Sequence, residues 1–299
     1  MRILVTGGTG LIGSNLAEQL IKEGYEVLIT GTDAEKAISG VVKYLQPSFI
    51  GLNWKEIGKV DVVFHQAAIN DTTNMDREEM FRVNVESSKK LFEEVVRNGC
   101  KKIVYASSTA IYGNSPAPYV EGKTKIVPLN PYAESKAELE KFAEEFGKKH
   151  PDIVIVGLRY CNVYGPGENF KGKRATMIYQ LAQQMLNRNP KIFKDGEQKR
   201  DYIYVKDVVR ANILASQAKE SCVVNCGFGK PTTFNELINI LNNILGTDRE
   251  PEYIENPYAG KYQDYTECDM ALAKERIGFV PEFDIERGIK DYFKTGCLV

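Results

Sequence analysis

The chain has 299 residues, and its 39 basic and 40 acidic side chains give a formal net charge of -1 and a sequence pI near 6.3. So even a balance, with no block of like charge, excludes the electrostatic footprint of a nucleic-acid or anionic-membrane binder. No apolar run approaches the roughly 20 residues of a spanning helix, and the first residues read as a strand and not as a signal peptide, so a cytoplasmic protein is expected.

Arg2 to Val5 form a short apolar run, followed by Thr6-Gly7-Gly8-Thr9-Gly10-Leu11-Ile12-Gly13 and a helical pattern carrying Leu11, Ile12, Leu16 and Leu20 on one side, with Gly24 as its stop. Strand, glycine turn and helix stand in the order that a dinucleotide site requires. Gly7 permits the sharp turn, Gly10 lets the backbone approach a pyrophosphate, and Gly13 lets helix and strand pack closely. The N–H groups of the helix start, at Leu11 and Ile12, then face the phosphates.

The next strand, Glu26 to Thr30, should end on an acidic residue that reads the adenine ribose, but Gly31 stands there. Asp33 in that role favours NAD, whereas Lys36 meeting a 2′-phosphate favours NADP. Asp33 and Glu35 would both repel a phosphate, which tilts the choice towards NAD; alternatively these are ordinary loop charges. A third strand, Val60 to Phe64, leads into His65-Gln66-Ala67-Ala68, where small residues let the loop approach a flat ring or simply pack closely. Asn84 opens a helix that feeds the strand Lys102 to Tyr105, and it either orients the catalytic loop or satisfies buried backbone.

Ser108 lies at the mouth of that strand, in Ser107-Ser108-Thr109-Ala110-Ile111-Tyr112-Gly113. The stretch Pro131 to Lys149 predicts a helix, with proline tolerated at its first position and Ala, Glu, Lys and Leu afterwards. Tyr132 and Lys136 are four apart and therefore share a face. A free tyrosine hydroxyl titrates near about 10, so an ammonium beside it would help it to act as a base at neutral pH. Taken alone, such a pair is also common on helix surfaces.

Ile153 to Leu158 is a further apolar strand. The alternation predicts a Rossmann-type, doubly wound parallel sheet over residues 1–165, rejoined by a segment near 201–227. After Gly165-Pro166-Gly167 come polar loops, shorter helices and isolated strands such as Arg200 to Val205 and Lys261 to Tyr265. Residues 166–299 therefore read mainly as a smaller α/β region that binds substrate over the carboxyl ends of the strands. The six cysteines are expected to be reduced, with Cys222 and Cys226 on one face of a strand. The two histidines, His65 and His150, have no metal-ligand spacing, so no metal is expected.

With the glycine turn, Ser108, Tyr132 and Lys136 in order, the chain resembles the extended short-chain dehydrogenase/reductase family, which holds nucleotide-sugar epimerases and dehydratases. The resemblance extends to Asp61-Val62-Val63-Phe64-His65-Gln66-Ala67-Ala68, to Arg159-Tyr160-Cys161-Asn162-Val163-Tyr164-Gly165-Pro166 and to Lys199-Arg200-Asp201-Tyr202-Ile203-Tyr204-Val205-Lys206-Asp207-Val208. It implies an NAD(P)-dependent enzyme in which Tyr132 is the acid/base, Lys136 holds the nicotinamide ribose and lowers the tyrosine pKa, and Ser108 orients the sugar oxygen. It also implies cofactor contacts from Gln66, Ala67, Ala68 and Asn84.

Substrate contacts are implied for Asn70, Thr72, Asn162, Arg200 and Tyr262, the Arg200 fork being suited to a pyrophosphate. The alternative for Arg200 is a salt bridge to Asp201. Dehydratases of the family carry an acidic pair after the catalytic hydroxyl residue, whereas Thr109-Ala110 follows Ser108 here, which speaks against dehydration.

The second half is most similar to the ADP-L-glycero-D-manno-heptose 6-epimerases, in Tyr164 to Gly172 and in Gly260 to Thr266. Their pattern implies that Lys171 is a second catalytic base, although it also reads as a solvated loop lysine. Gly167 replaces an arginine of that pattern. A nucleotide-sugar substrate and a homo-oligomer are expected. A UDP-sugar 4-epimerase, a net nucleotide-sugar reductase or dehydrogenase, and a non-catalytic dinucleotide-binding protein are the competing readings.

Overall fold

Strands that are apolar along their whole length need cover on both faces, and the chain supplies it by alternating strand with helix. The computed structural model describes residues 1–32, 43–46, 49–255 and 263–299, with the backbone alone for 43–46. From the N-terminus, β1 (Arg2–Thr6), α1 (Leu11–Lys22), β2 (Glu26–Thr30), β3 (Lys43–Gln46), β4 (Val62–His65), α2 (Ser87–Arg97), β5 (Lys102–Ser108), α3 (Pro131–Lys149) and β6 (Val154–Tyr160) follow one another. Next come β7 (Asn162–Tyr164), α4 (Met177–Met185), β8 (Lys191–Phe193), β9 (Lys199–Tyr204), α5 (Val205–Gln217), β10 (Cys222–Cys226), β11 (Pro231–Thr233), α6 (Phe234–Leu245) and β12 (Glu252–Ile254).

Seven parallel strands form the main sheet in the order β10-β6-β5-β4-β1-β2-β3. The pleat sends alternate residues to opposite cores. Ile3, Val5, Val27, Ile29, Val62, Phe64 and Val104 pack towards the side of α1 and α5, whereas Leu4, Leu28, Val63, Ile103 and Tyr105 meet Leu91, Phe92 and Val95 of α2 and Leu139 and Phe146 of α3. Strand order reverses direction between β1 and β4, which opens a crevice at their carboxyl ends. The glycine turn, the His65–Ala68 loop and Ser108 all follow or end strands at that edge.

The later strands are not isolated. β7, β9 and β11 form a small sheet, and β8 pairs with β12. β7 lies before residue 165 yet joins the small sheet, so the main sheet is left at Cys161. Val205 opens α5 and does not continue its strand, while Tyr265 forms only a single bridge, to Lys199. Asn84 does not open a helix. It sits inside a continuous helical stretch, in a π-helical turn Arg82–Glu86 between the helix Arg77–Phe81 and α2. All six cysteines are free thiols. Among the described residues no helix is long and apolar enough to cross a membrane.

Candidate active site

The glycine turn is shaped by contacts that tolerate no side chain. Gly7 adopts φ +67°, and a Cβ there would lie 2.7 Å from the Ala67 nitrogen. A Cβ on Gly13 would lie 2.1 Å from the Gly7 carbonyl oxygen. Gly10 donates its N–H to that same carbonyl at 2.9 Å and caps α1 without any side-chain hydrogen bond. Leu11, Ile12 and Gly13 therefore begin α1 with backbone donors that no capping side chain engages, a cradle that fits the pyrophosphate of a dinucleotide.

Gly31 has a steric cause. A Cβ there would fall 2.1 Å from Thr9 Oγ1, so the threonine of the glycine turn occupies the space that an acidic side chain would need. Asp33, Glu35 and Lys36, weighed above for reading the ribose, lie outside the described residues, as does Tyr262.

The loop after β4 is braced from below. Asn84, 1% exposed, accepts from the Ile69 N–H (2.8 Å) and donates to the Ile69 carbonyl (2.9 Å) and to Ser135 Oγ (3.1 Å). Its amide is committed to this loop, so its bearing on a cofactor is indirect, through the backbone of residues 66–70. Gln66 is similarly engaged: it donates to Asn212 Oδ1 (3.0 Å) and accepts from Tyr160 OH (3.0 Å). Ala67 and Ala68 are half-buried, and Ala67 packs against the core on the α2 and α3 side of the sheet. His65 bridges Thr6 (2.7 Å) and Ser88 (2.8 Å) through its two ring nitrogens, and burial followed by the Lys136 charge lowers its pKa to about 3. It is neutral at any physiological pH.

Helix α3 begins as the residues dictate. Asn130 caps it by accepting from the Ala133 N–H (2.9 Å), and Pro131 takes the first turn. Tyr132 and Lys136 then share a face at the end of β5. Ser108 closes that strand and accepts from the Ala110 N–H at 3.1 Å, and its hydroxyl acts on the Tyr132 phenol.

Lys136 is 3% exposed; its Nζ donates to the Ala106 carbonyl at 2.8 Å and stands 5.8 Å from the Tyr132 ring centre. Burial lowers its pKa to about 8, against the opposing pull of the Glu140 carboxylate. The expectation that this ammonium draws the phenol below its ordinary value is not what the structure shows. Burial raises the Tyr132 pKa, and the Ser108 hydrogen bond acts the other way. In this state Tyr132 is a neutral acid, and the ammonium is committed to a backbone carbonyl.

The segment that follows β7 is built from turns. Lys171 lies in the 3-10 stretch Glu168–Arg174, half-buried and not the solvated loop lysine of the plain reading. Burial lowers its pKa, the Glu168 carboxylate opposes that, and Arg174 adds to the lowering. Glu168 is fully buried and fixes the turn by accepting from the N–H groups of Gly165 (3.2 Å) and Thr176 (2.7 Å). Asn15 of α1 donates to the Pro166 carbonyl at 2.9 Å and so links this segment to the glycine turn. Asn70, exposed, accepts from Arg174 at 3.2 Å, and Thr72 is exposed in the same loop.

Asn162 donates to the Asp201 carbonyl (2.9 Å) and to Thr266 Oγ1 (3.4 Å), which commits its amide nitrogen to the protein. Arg200, 8% exposed, donates to the Lys199 carbonyl at 3.0 Å, and its charge bears on the phenols of Tyr119 and Tyr202. The carboxylate of Asp201 accepts from the backbone of Phe228, Gly229 and Cys268.

A buried ion pair under the site went unread in the sequence. Arg159 of β6 forks onto both oxygens of Glu140 (2.9 and 2.7 Å) and donates to Tyr112 OH (2.6 Å), while Ser107 donates to Glu140. Burial works against the guanidinium charge, but Glu140 outweighs it and the Arg159 pKa rises. Glu140 continues the Tyr132, Lys136 spacing by another four residues, a signal that was available. Gln263 was also missed: it donates to the Gly113 carbonyl (3.0 Å) and to Tyr119 OH (2.9 Å), which ties the C-terminal segment to the loop after Ser108.

The model of the NAD-dependent epimerase/dehydratase family matches residues 3–227. The chain belongs to this family. Its relatives include the ADP-L-glycero-D-manno-heptose-6-epimerase of Alkalilimnicola ehrlichii, 34% identical over 97% of this chain and 96% of that protein. The structure is similar to that of the Helicobacter pylori enzyme of the same name, with 33% identity, TM-score 0.87, and 98% of this chain and 95% of that one covered. It is equally similar to UDP-glucose 4-epimerase of Thermotoga maritima with UDP-glucose, with 31% identity, TM-score 0.87 and 99% of each chain covered. The departures at Gly31 and Gly167 lie within this family frame.

Proposed function

We propose that the chain is an NAD-dependent epimerase of a nucleotide-activated sugar, of the ADP-heptose 6-epimerase kind. The observation that carries this reading is the corner at the end of β5, where Ser108 closes the strand, Tyr132 opens α3 and Lys136, buried one helical turn on, donates to the Ala106 carbonyl of that same strand. A pure binding protein has no use for that trio. The glycine cradle, with Leu11 and Ile12 at the start of α1, holds the pyrophosphate, and Ala67 and Ala68 wall the crevice beside it. Bound there, NAD supplies a nicotinamide that takes hydride from a sugar carbon and returns it to the other face.

The side chains manage the proton. Ser108 orients the sugar hydroxyl, and Tyr132, once it has given up its own proton and stands as phenolate, takes the hydroxyl proton as the carbonyl forms and restores it on return. Lys136, once turned from the Ala106 carbonyl towards the phenol, would favour the phenolate when the proton moves. Once the sugar turns, the carbonyl oxygen lies on another side, where Lys171, with its lowered pKa, can serve as the second proton carrier. Arg200 and Asn162 line the wall proposed to take the diphosphate and sugar.

The equal likeness to a UDP-glucose 4-epimerase supports a second substrate reading on the same trio. Incubation with NAD and either ADP-heptose or UDP-glucose, followed by NMR of the sugar stereocentres, separates the two. The proposal predicts inversion at C6 of the heptose. Inversion at C4 of glucose alone favours the second reading, and inversion of neither removes both.

A further inference from the structure

Behind the wall that carries Asn162 and Arg200, two cysteines 107 positions apart in the chain meet. Cys161 Sγ and Cys268 Sγ are 2.7 Å apart, and their near neighbours are the Asp201 carboxylate and the backbone of Gly227. These three side chains also have the donor types of a cation site, and that alternative fails on geometry. Two thiolates on one tetrahedral zinc, each about 2.3 Å from the ion, stand about 3.8 Å apart. Asp201, moreover, already accepts from Phe228 N (2.8 Å), Gly229 N (3.0 Å) and Cys268 N (3.0 Å). The sulfurs are nearer to the roughly 2.05 Å of a covalent bond than any pair of metal ligands would be.

We propose that Cys161 and Cys268 form a reversible disulfide that clamps the segment 263–270 onto the start of β7. The inference does not depend on the proposed catalytic function. The oxidant is a low-molecular-weight disulfide. Cys161, 8% exposed against 2% for Cys268, loses its proton and attacks one sulfur of that disulfide; one donor thiol leaves, and a mixed disulfide forms on Cys161. Cys268, losing its proton in turn, attacks the Cys161 sulfur and releases the second donor thiol. Two electrons pass from the protein to the donor, which leaves as two thiols. Burial raises both cysteine pKa values, so exchange is slow at neutral pH and faster in mild alkali.

The clamped segment is functional ground. Thr266 accepts from Asn162, and Gln263 reaches the loop after Ser108. Oxidation therefore fixes one wall of the site.

The test incubates the full chain with oxidised glutathione, alkylates it under denaturing conditions and maps the peptides by mass spectrometry. The expected product is a Cys161–Cys268 cross-link that dithiothreitol removes, that Cys161→Ala abolishes and that Cys226→Ala retains. The melting temperature of the oxidised protein should rise by roughly 5–10 °C, as a loop of about 100 residues closed in the unfolded chain implies. The proposal is overturned by alkylation or glutathionylation of both cysteines, by a cross-link to Cys226, by stoichiometric metal held by the purified protein and lost in Cys161→Ala, or by a cross-link that leaves the melting temperature unmoved.

Discussion

The two walls of the site are held by different physics. On the β5 and α3 side, Ser108, Tyr132 and Lys136 rest on regular elements locked together by the Glu140–Arg159 fork and by a capped helix start. On the side proposed to take the sugar, Lys171, Arg200 and Asn162 sit on a 3-10 turn and short strands, where Glu168 accepts from the Gly165 and Thr176 N–H groups and Asn162 donates to the Asp201 carbonyl and to Thr266. The first wall is built for fixed geometry.

That contrast predicts how each wall should fail. Tyr132→Phe should cut turnover by about 10²–10⁴-fold, the usual worth of a positioned acid/base, with little change in melting temperature. A comparable loss of stability with the loss of turnover would mean that the first wall is structural only.

Arg159→Leu leaves the Glu140 carboxylate buried without its partner and should cost about 3–5 kcal/mol in urea unfolding. Its activity loss should follow unfolding. Lys171→Met should lower turnover by about 10²-fold at unchanged stability if Lys171 handles a proton. An unchanged turnover would return it to the role of a turn residue.

The Lys136 value near 8 gives a pH signature of both kinds. The ammonium is present below that value, so turnover should fall as pH rises through about 8. Because its folded pKa lies below the ordinary 10.5, the unfolded chain holds the proton more tightly between the two values. Stability should therefore rise with pH across that window, by on the order of 3 kcal/mol relative to Lys136→Met. Activity and stability moving in the same direction there would contradict the assignment. The smallest effect is expected from Asn162→Ala, a change of less than about tenfold, confined to KM, since only the neutral hydrogen bonds to the Asp201 carbonyl and to Thr266 are lost.

The same contrast explains what could be read from residues alone. The glycine turn and the helix Pro131–Lys149 were legible because local rules write them: a strand run, a glycine where φ is positive, a proline after a capping Asn130. Tyr132 and Lys136 followed from helical spacing. Where a position depends on a distant partner, the reading failed or stayed open. Asn84 acts through Ile69 and Ser135 because a π-helical turn carries it inwards, and nothing in Arg82 to Glu86 announces that turn. Gly31 is explained by Thr9, which no spacing rule connects to it. β7 and β9 pair only because the chain returns after some forty residues. Arg159 stands just past the apolar run Ile153 to Leu158, and no local rule connects it to Glu140.

The central claim is that the sugar carbon loses and regains its own hydrogen while Tyr132 handles only the hydroxyl proton. Turnover of the nucleotide-sugar in deuterium oxide with NAD, followed by NMR at the inverted carbon, tests it directly. The account predicts an inverted product that carries no solvent deuterium at that carbon and no net change in nicotinamide absorbance. Deuterium at the inverted carbon would contradict it.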